Sequence, residues 1–283
     1  MLLLVDLDGV VYRGREPVAG VAAVLATRAA AGDDIVYVTN SSIWHHSDFV
    51  ARLTSVGVPA SPNRIVSGAR ATAMCLAGQS PRPRLILAMG TSGLVRELKD
   101  AGLEVLRAAD AADAWSTNGN DAADATAGVD AVVVGLDQEI NWARLVVTTA
   151  AVRAGARYVA VNRDPIHPTE HGLVPGAGAL VAMIATASGV EPVTIGKPRP
   201  VLLEMAAQLV DRSVQDAVMI GDSLSADIPA AIAVGARSIL MLTGISTAEE
   251  VSALATDARP TEVAADAAEL TAALARLRRR RVV

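Results

Sequence analysis

One cysteine, one phenylalanine and an aromatic content of 2% are what this 283-residue chain has least of. Cys75 alone closes no disulfide within the chain and builds no multi-cysteine metal site; its Ala-rich surroundings place it in a helical core. No apolar run approaches the ~18 residues that a membrane span requires. The short apolar run at the N-terminus is broken by Asp6 and has no basic leader, so the expectation is a soluble, cytoplasmic protein without a signal peptide. Charge of one sign is also lacking: 25 basic residues face 30 acidic ones, a net −5, so nothing draws the chain to nucleic acid or an anionic membrane. The basic cluster at the tail, Arg276 and residues 278–281, reads as solvated cations that complement the dipole of a final helix.

What is present is apolar and regularly alternating. Hydrophobic residues make up 52% and charged ones 19%, the balance of a compact protein, and the length suits two domains. Branched aliphatic runs predict strands at residues 2–5, 35–39, 84–89, 131–135, 158–161, 217–220 and 238–242. Helical stretches follow most of them, at 21–31, 92–101, 142–154, 200–210 and 224–234. This alternation predicts an α/β protein with doubly wound parallel sheets. Residues 110–128, rich in small and polar side chains, read as loops. Gly90-Thr91-Ser92-Gly93 reads as a strand-to-helix turn, and residues 172–178 as a hinge or helix start.

The chemistry-bearing residues sit at strand ends. Asp6-Leu7-Asp8-Gly9 follows the first apolar strand, where open α/β sheets place their ligand crevice. Carboxylates two apart leave the strand on one side and repel each other unless a cation or a proton is shared. Mg²⁺, with one carboxylate as nucleophile and the other as proton donor, meets both needs and points to phosphoryl chemistry. Thr39-Asn40-Ser41-Ser42 ends a second strand with hydroxyls and backbone N–H groups suited to phosphate oxygens. Lys197 lies in Ile195-Gly196-Lys197-Pro198, and Gly221-Asp222-Ser223 with Asp227 follows a further strand. Singly, each reads better as a helix cap, a surface lysine or a solvated helix face. Acid, hydroxyl, lysine and acid at successive strand ends form a specific set.

In that order the motifs resemble those of the haloacid dehalogenase superfamily, subfamily IIA, the NagD-like and 4-nitrophenylphosphatase-like group. The likeness extends to a cap pattern, Asn162-Arg163-Asp164-Pro165, then Pro168-Thr169-Glu170 and Gly172-Leu173-Val174-Pro175-Gly176. Ser41, where many relatives have a second asparagine, and Ile43-Trp44-His45-His46 depart from the usual pattern. About 33 residues separate Asp6 from Thr39, whereas about 158 separate Thr39 from Lys197, which leaves on the order of 100 for an inserted domain. The expected division is a core at 1–81 and 189–283 with an α/β cap at 82–188.

The resemblance implies a Mg²⁺-dependent phosphomonoester hydrolase. Asp6 is the implied nucleophile, forming an aspartyl-phosphate, and Asp8 the acid and base. Thr39 and Lys197 would steady the transferring phosphoryl group. The implied metal set is Asp6, Asp8 (through its backbone carbonyl), Asp222 and Asp227, the last supporting the others. Asn40, Ser41, Asn162 and Asp164 are the implied substrate contacts. Glycerol 3-phosphate or phosphoglycolate is the expected substrate, with nucleotide, sugar and pyridoxal phosphates and transfer to an alcohol as alternatives. A homodimer formed through the cap also accords with the resemblance. Asp8 argues against dehalogenase chemistry, and the long insertion against a response-regulator module. His167 and His171, beside Asp164 and Glu170, are separated by Pro168 from any shared helical face; a substrate-facing cap loop is expected there, not a metal site.

Overall fold

The computed structural model describes residues 1–58, 60–118, 121–169 and 172–279. Glu170, His171, Gly119, Asn120, Arg280 and Arg281 of the motifs above lie outside the described residues. The chain forms two compact units: Met1–Thr39, His46–Val66 and Lys197–Val283 make the first, Asn40–His45 and Ser67–Gly196 the second.

The first unit is built on Leu2–Val5, a strand whose four apolar side chains are all buried. Covered on both faces, such a strand pairs in parallel on both edges. Leu2–Val5 does so, with Ala217–Gly221 on one side and Asp34–Thr39 on the other. Arg237–Met241 and Glu262–Ala264 extend one edge and Ile65–Ser67 the other. The chain builds outward from Leu2–Val5 toward Ile65–Ser67, then returns to build the other half, so the strand order reverses between Leu2–Val5 and Ala217–Gly221. Helices Val21–Ala30 and Ala267–Arg279 bury Val21, Leu25, Leu270, Leu274 and Leu277 against one face. Each such leucine contributes about 2 kcal/mol.

The second unit repeats the same logic. Leu85–Met89 pairs in parallel with Glu104–Arg107 and with Ala131–Val134, which pairs with Arg157–Ala160, and Val193–Thr194 closes the edge. Here the order reverses between Leu85–Met89 and Ala131–Val134. Helices Ser92–Asp100, Trp142–Arg153 and Ala177–Ser188 flank the sheet. Gly90-Thr91 is the turn into the first of these, and Gly176 is the N-cap of the last, as the sequence suggests.

Some expectations are corrected. Much of 110–128 is not loop: Ala108–Asn118 is a helix. Alanine is the best helix former, and Ala108, Ala111, Ala112 and Trp115 recur at helical spacing against the core. The stretch around His167 is an antiparallel hairpin, Ile166–Thr169 with Gly172–Pro175. Gly172, at φ 108°, adopts a left-handed backbone that favours glycine. The helix expected from 224 begins at Asp227, because the Ser223 hydroxyl first accepts from Ser225 N and Ala226 N and holds a turn there. Cys75 lies in helix Gly68–Ala77 but is half-buried, not a core residue. Among the described residues, no helix is long and apolar enough to cross a membrane.

Candidate active site

The strand reversal in the first unit puts Asp6 and Asp222 side by side, one residue beyond two paired strands. Carboxylate oxygens of Asp6, Asp222 and Asp227 lie within 4.8 Å of one another, all buried. Lys197, 3% exposed, reaches into the cluster, its Nζ 2.8 Å from Asp6 Oδ1 and 2.6 Å from Asp227 Oδ1. Its third hydrogen bond goes to the Val38 carbonyl at 3.1 Å, next to buried Thr39. The surface-lysine and solvated-acid readings therefore do not apply.

Each carboxylate has a different task in this geometry. Asp227 spends Oδ2 on the backbone N–H groups of Asp222 and Ser223, both at 3.0 Å, and Oδ1 on Lys197. It fixes the end of its neighbouring strand and the lysine, and a Cβ at Gly221 would lie 2.3 Å from it. Asp222 Oδ2 accepts from Ile245 N at 2.9 Å. Cβ atoms at Gly9 and Gly244 would stand 2.2 and 1.8 Å from that same oxygen, so both positions exclude a side chain. Gly9, at φ 80°, also turns the chain after Asp8, and Thr243 Oγ1 donates to its carbonyl at 2.6 Å. Gly244 and Ile245 were missed from sequence. The signal was present, since Thr243-Gly244 follows the end of another core strand as Asp8-Gly9 follows the first.

Electrostatics single out the same group. Burial pushes the Asp6 carboxyl well above its usual range; Lys197 draws it back, and Asp227 and Asp222 push it further up. Burial, then Asp227, raise Asp222 to about 7, against the Ile245 N–H and Lys197. Burial would lower the Lys197 ammonium, but Asp227 and Asp6 hold it above its ordinary value. Lys197 brings one positive charge to three buried carboxylates. Hard oxygen donors with this excess of negative charge fit a Mg²⁺ ion.

Asp8 is half-buried and lies outside the carboxylate cluster, its backbone bridged to Tyr12. Burial first, then Asp8, raise the Tyr12 hydroxyl well above its usual value, while Arg52, 4.3 Å from the ring centroid, opposes them.

The remaining candidates meet in the second unit. Asn40 Nδ2 donates to Asp164 Oδ2 and Oδ1 at 3.2 and 3.3 Å, and Asn162 Nδ2 donates to the Asn40 carbonyl at 2.7 Å. Ser41 Oγ accepts from Ile43 N at 3.3 Å.

Comparison with known proteins accords with this geometry. A family profile described as haloacid dehalogenase-like hydrolase matches residues 3–104, and one described as HAD-hydrolase-like matches residues 194–270. An acid sugar phosphatase of Staphylococcus saprophyticus is 34% identical over 248 residues, 88% of each chain. The crystal structure of a glycerol phosphate phosphatase from Mycobacterium tuberculosis in complex with magnesium is 34% identical, covering 95% of this chain and 75% of that one, with a TM-score of 0.81. A p-nitrophenyl phosphatase from Archaeoglobus fulgidus is 27% identical, with 96% and 98% coverage and a TM-score of 0.82.

Proposed function

The chain belongs to the haloacid dehalogenase-like hydrolases, in the NagD-like and 4-nitrophenylphosphatase-like group, and is a phosphatase; on that premise we propose that it hydrolyses a small phosphomonoester through an aspartyl-phosphate on Asp6. The observation that carries this reading is the Lys197–Asp6 contact of 2.8 Å inside the buried carboxylate cluster. Lys197 favours the ionised form of Asp6, the form that attacks phosphorus. Asp8 protonates the leaving oxygen, then takes the proton of the water that attacks the intermediate. Thr39 and Lys197 hold the phosphoryl oxygens. Asp6, Asp222 and the Asp8 carbonyl would hold Mg²⁺, which when bound offsets the phosphate charge, and Asp227 keeps Asp222 and Lys197 in place.

Residues 82–188 are the proposed cap, and Asn40, Ser41 and Asn162 the proposed substrate contacts. Glycerol 3-phosphate or phosphoglycolate is the proposed substrate. The glycerol phosphate phosphatase among the structural neighbours supports the first, and the acid sugar phosphatase keeps sugar phosphates in the test panel. Magnesium is the proposed ion, although another structure of the former enzyme is in complex with calcium.

The test is phosphate release from a panel of phosphomonoesters, with and without Mg²⁺, by wild type and Asp6→Asn. Metal-dependent release that Asp6→Asn abolishes is the expected result. No release by the folded wild type from any ester would defeat the reading.

A further inference from the structure

The segment Asn40–His45 follows Thr39 directly and packs as part of the second unit. It crosses the carboxyl ends of three adjacent strands of that unit's sheet. Beyond Arg157–Ala160, Asn162 holds the Asn40 carbonyl and Asp164 holds the Asn40 carboxamide. Asn162 Oδ1 also accepts from Asp164 N at 3.1 Å, so one turn carries both grips. Beyond Ala131–Val134, Leu136 N donates to Ser42 Oγ at 2.8 Å, where a Cβ at Gly135 would lie 2.7 Å from that oxygen. Beyond Leu85–Met89, Thr91 Oγ1 donates to the Ser42 and Ile43 carbonyls at 3.1 and 2.7 Å. His45, 5% exposed, closes the run. Its Nδ1 stands 3.1 Å from Arg96, which can only donate, so Nε2 carries the proton toward Asp100 Oδ2 at 2.9 Å.

The Asn40 carboxamide is thus spoken for. Its Nδ2 faces the two Asp164 oxygens, and its Oδ1 lies where a Cβ at Gly196 would be 2.8 Å away. A carboxylate placed directly against a phosphate dianion would repel it, whereas one that fixes an amide does not. We infer that Asp164 is a positioning residue for phosphoryl transfer that acts through Asn40, holding the peptide after Thr39 in place without touching the substrate. The inference rests on the phosphatase reading and deepens it: Thr39 serves the phosphate, and Asp164 fixes the residue that follows Thr39.

A double-mutant cycle tests it, with Asp164→Ala, Asn40→Ala, the pair, and Asp164→Asn, which keeps an acceptor for Nδ2. Activity is read as kcat/KM on 4-nitrophenyl phosphate, and circular dichroism confirms folding. The expected result is that Asp164→Ala lowers kcat/KM about tenfold or more in wild type but less than about twofold in Asn40→Ala. Asp164→Asn should recover most of the loss. Equal losses in both backgrounds, or no loss in either, would overturn the inference. If wild type itself releases no phosphate, the hydrolase reading fails on its own. The same four proteins then test the inference by calorimetric binding of inorganic phosphate, where coupled losses support it and additive or absent losses overturn it.

Discussion

The two units obey the same construction rules and end in opposite contents. Each is a parallel sheet of buried aliphatic strands, and in each the strand order reverses once, opening the crevice in which doubly wound folds place ligands. In the first unit that crevice holds Asp6 and Asp222, with Lys197 and Asp227 beside them. In the second it is filled by the chain itself: Ser42 and Ile43 occupy the ends of the two strands that flank the reversal. Fold placed both crevices, and a few strand-end residues decided that one gathers buried carboxylates around a lysine and the other grips a loop.

Substitutions at the strand ends sharpen this contrast. The largest effect belongs to the first unit: Lys197→Met removes the cation from Asp6 and Asp227, and kcat/KM for phosphate release should fall by about a hundredfold to a thousandfold. A loss under tenfold would mean that Lys197 does not serve the reacting group. Gly244→Ala comes next. Its new Cβ would stand 1.8 Å from Asp222 Oδ2 and displace that carboxylate. A magnesium titration of activity should move to about tenfold or more higher concentration; an unchanged midpoint would remove Asp222 from the metal set.

In the second unit the strand-end effect should appear in stability. Gly93 lies within helix Ser92–Asp100, where alanine ordinarily gains about 1 kcal/mol. Here the Cβ would meet the Ile43 carbonyl at 2.2 Å, so Gly93→Ala should lower the thermal midpoint. A raised midpoint would show that the loop is not held at that strand end. The smallest effect lies away from both crevices, at Asp34. Burial alone would raise its carboxyl, but hydrogen bonds from Arg64 and Arg212 hold it below its ordinary value. A depressed carboxyl contributes its full stability above its unfolded value of about 3.9 and loses it as the pH falls from there through the lower folded value. Asp34→Asn should therefore cost less than about 1 kcal/mol at neutral pH, and the cost should shrink in urea melts as the pH falls below about 3.9.

Much of the arrangement was legible because its signals are local. Continuous aliphatic runs marked strands such as Leu2–Val5, and the acids and lysine that follow such runs marked the cluster. The Ala108–Asn118 helix was missed because Ala, Asp and Ser side chains looked like loop composition, while its buried stripe is made mostly of alanine. The roles of Gly244 and Ile245 depend on a strand distant in sequence closing onto Asp222, and the grip on Asn40–His45 depends on residues 91–164. Such pairings leave no periodicity in a sequence. They become visible when the strands are ordered.

The central claim is that the crevice of the first unit forms a covalent intermediate on Asp6. The most direct measurement is mass spectrometry of acid-quenched enzyme after a brief reaction with 4-nitrophenyl phosphate and Mg²⁺. The account predicts a phosphoryl group on the peptide containing Asp6, absent when Mg²⁺ is omitted and absent in Asp6→Asn. Active enzyme whose Asp6 peptide stays unmodified at every quench time, or that carries the phosphoryl group on another residue, would contradict it.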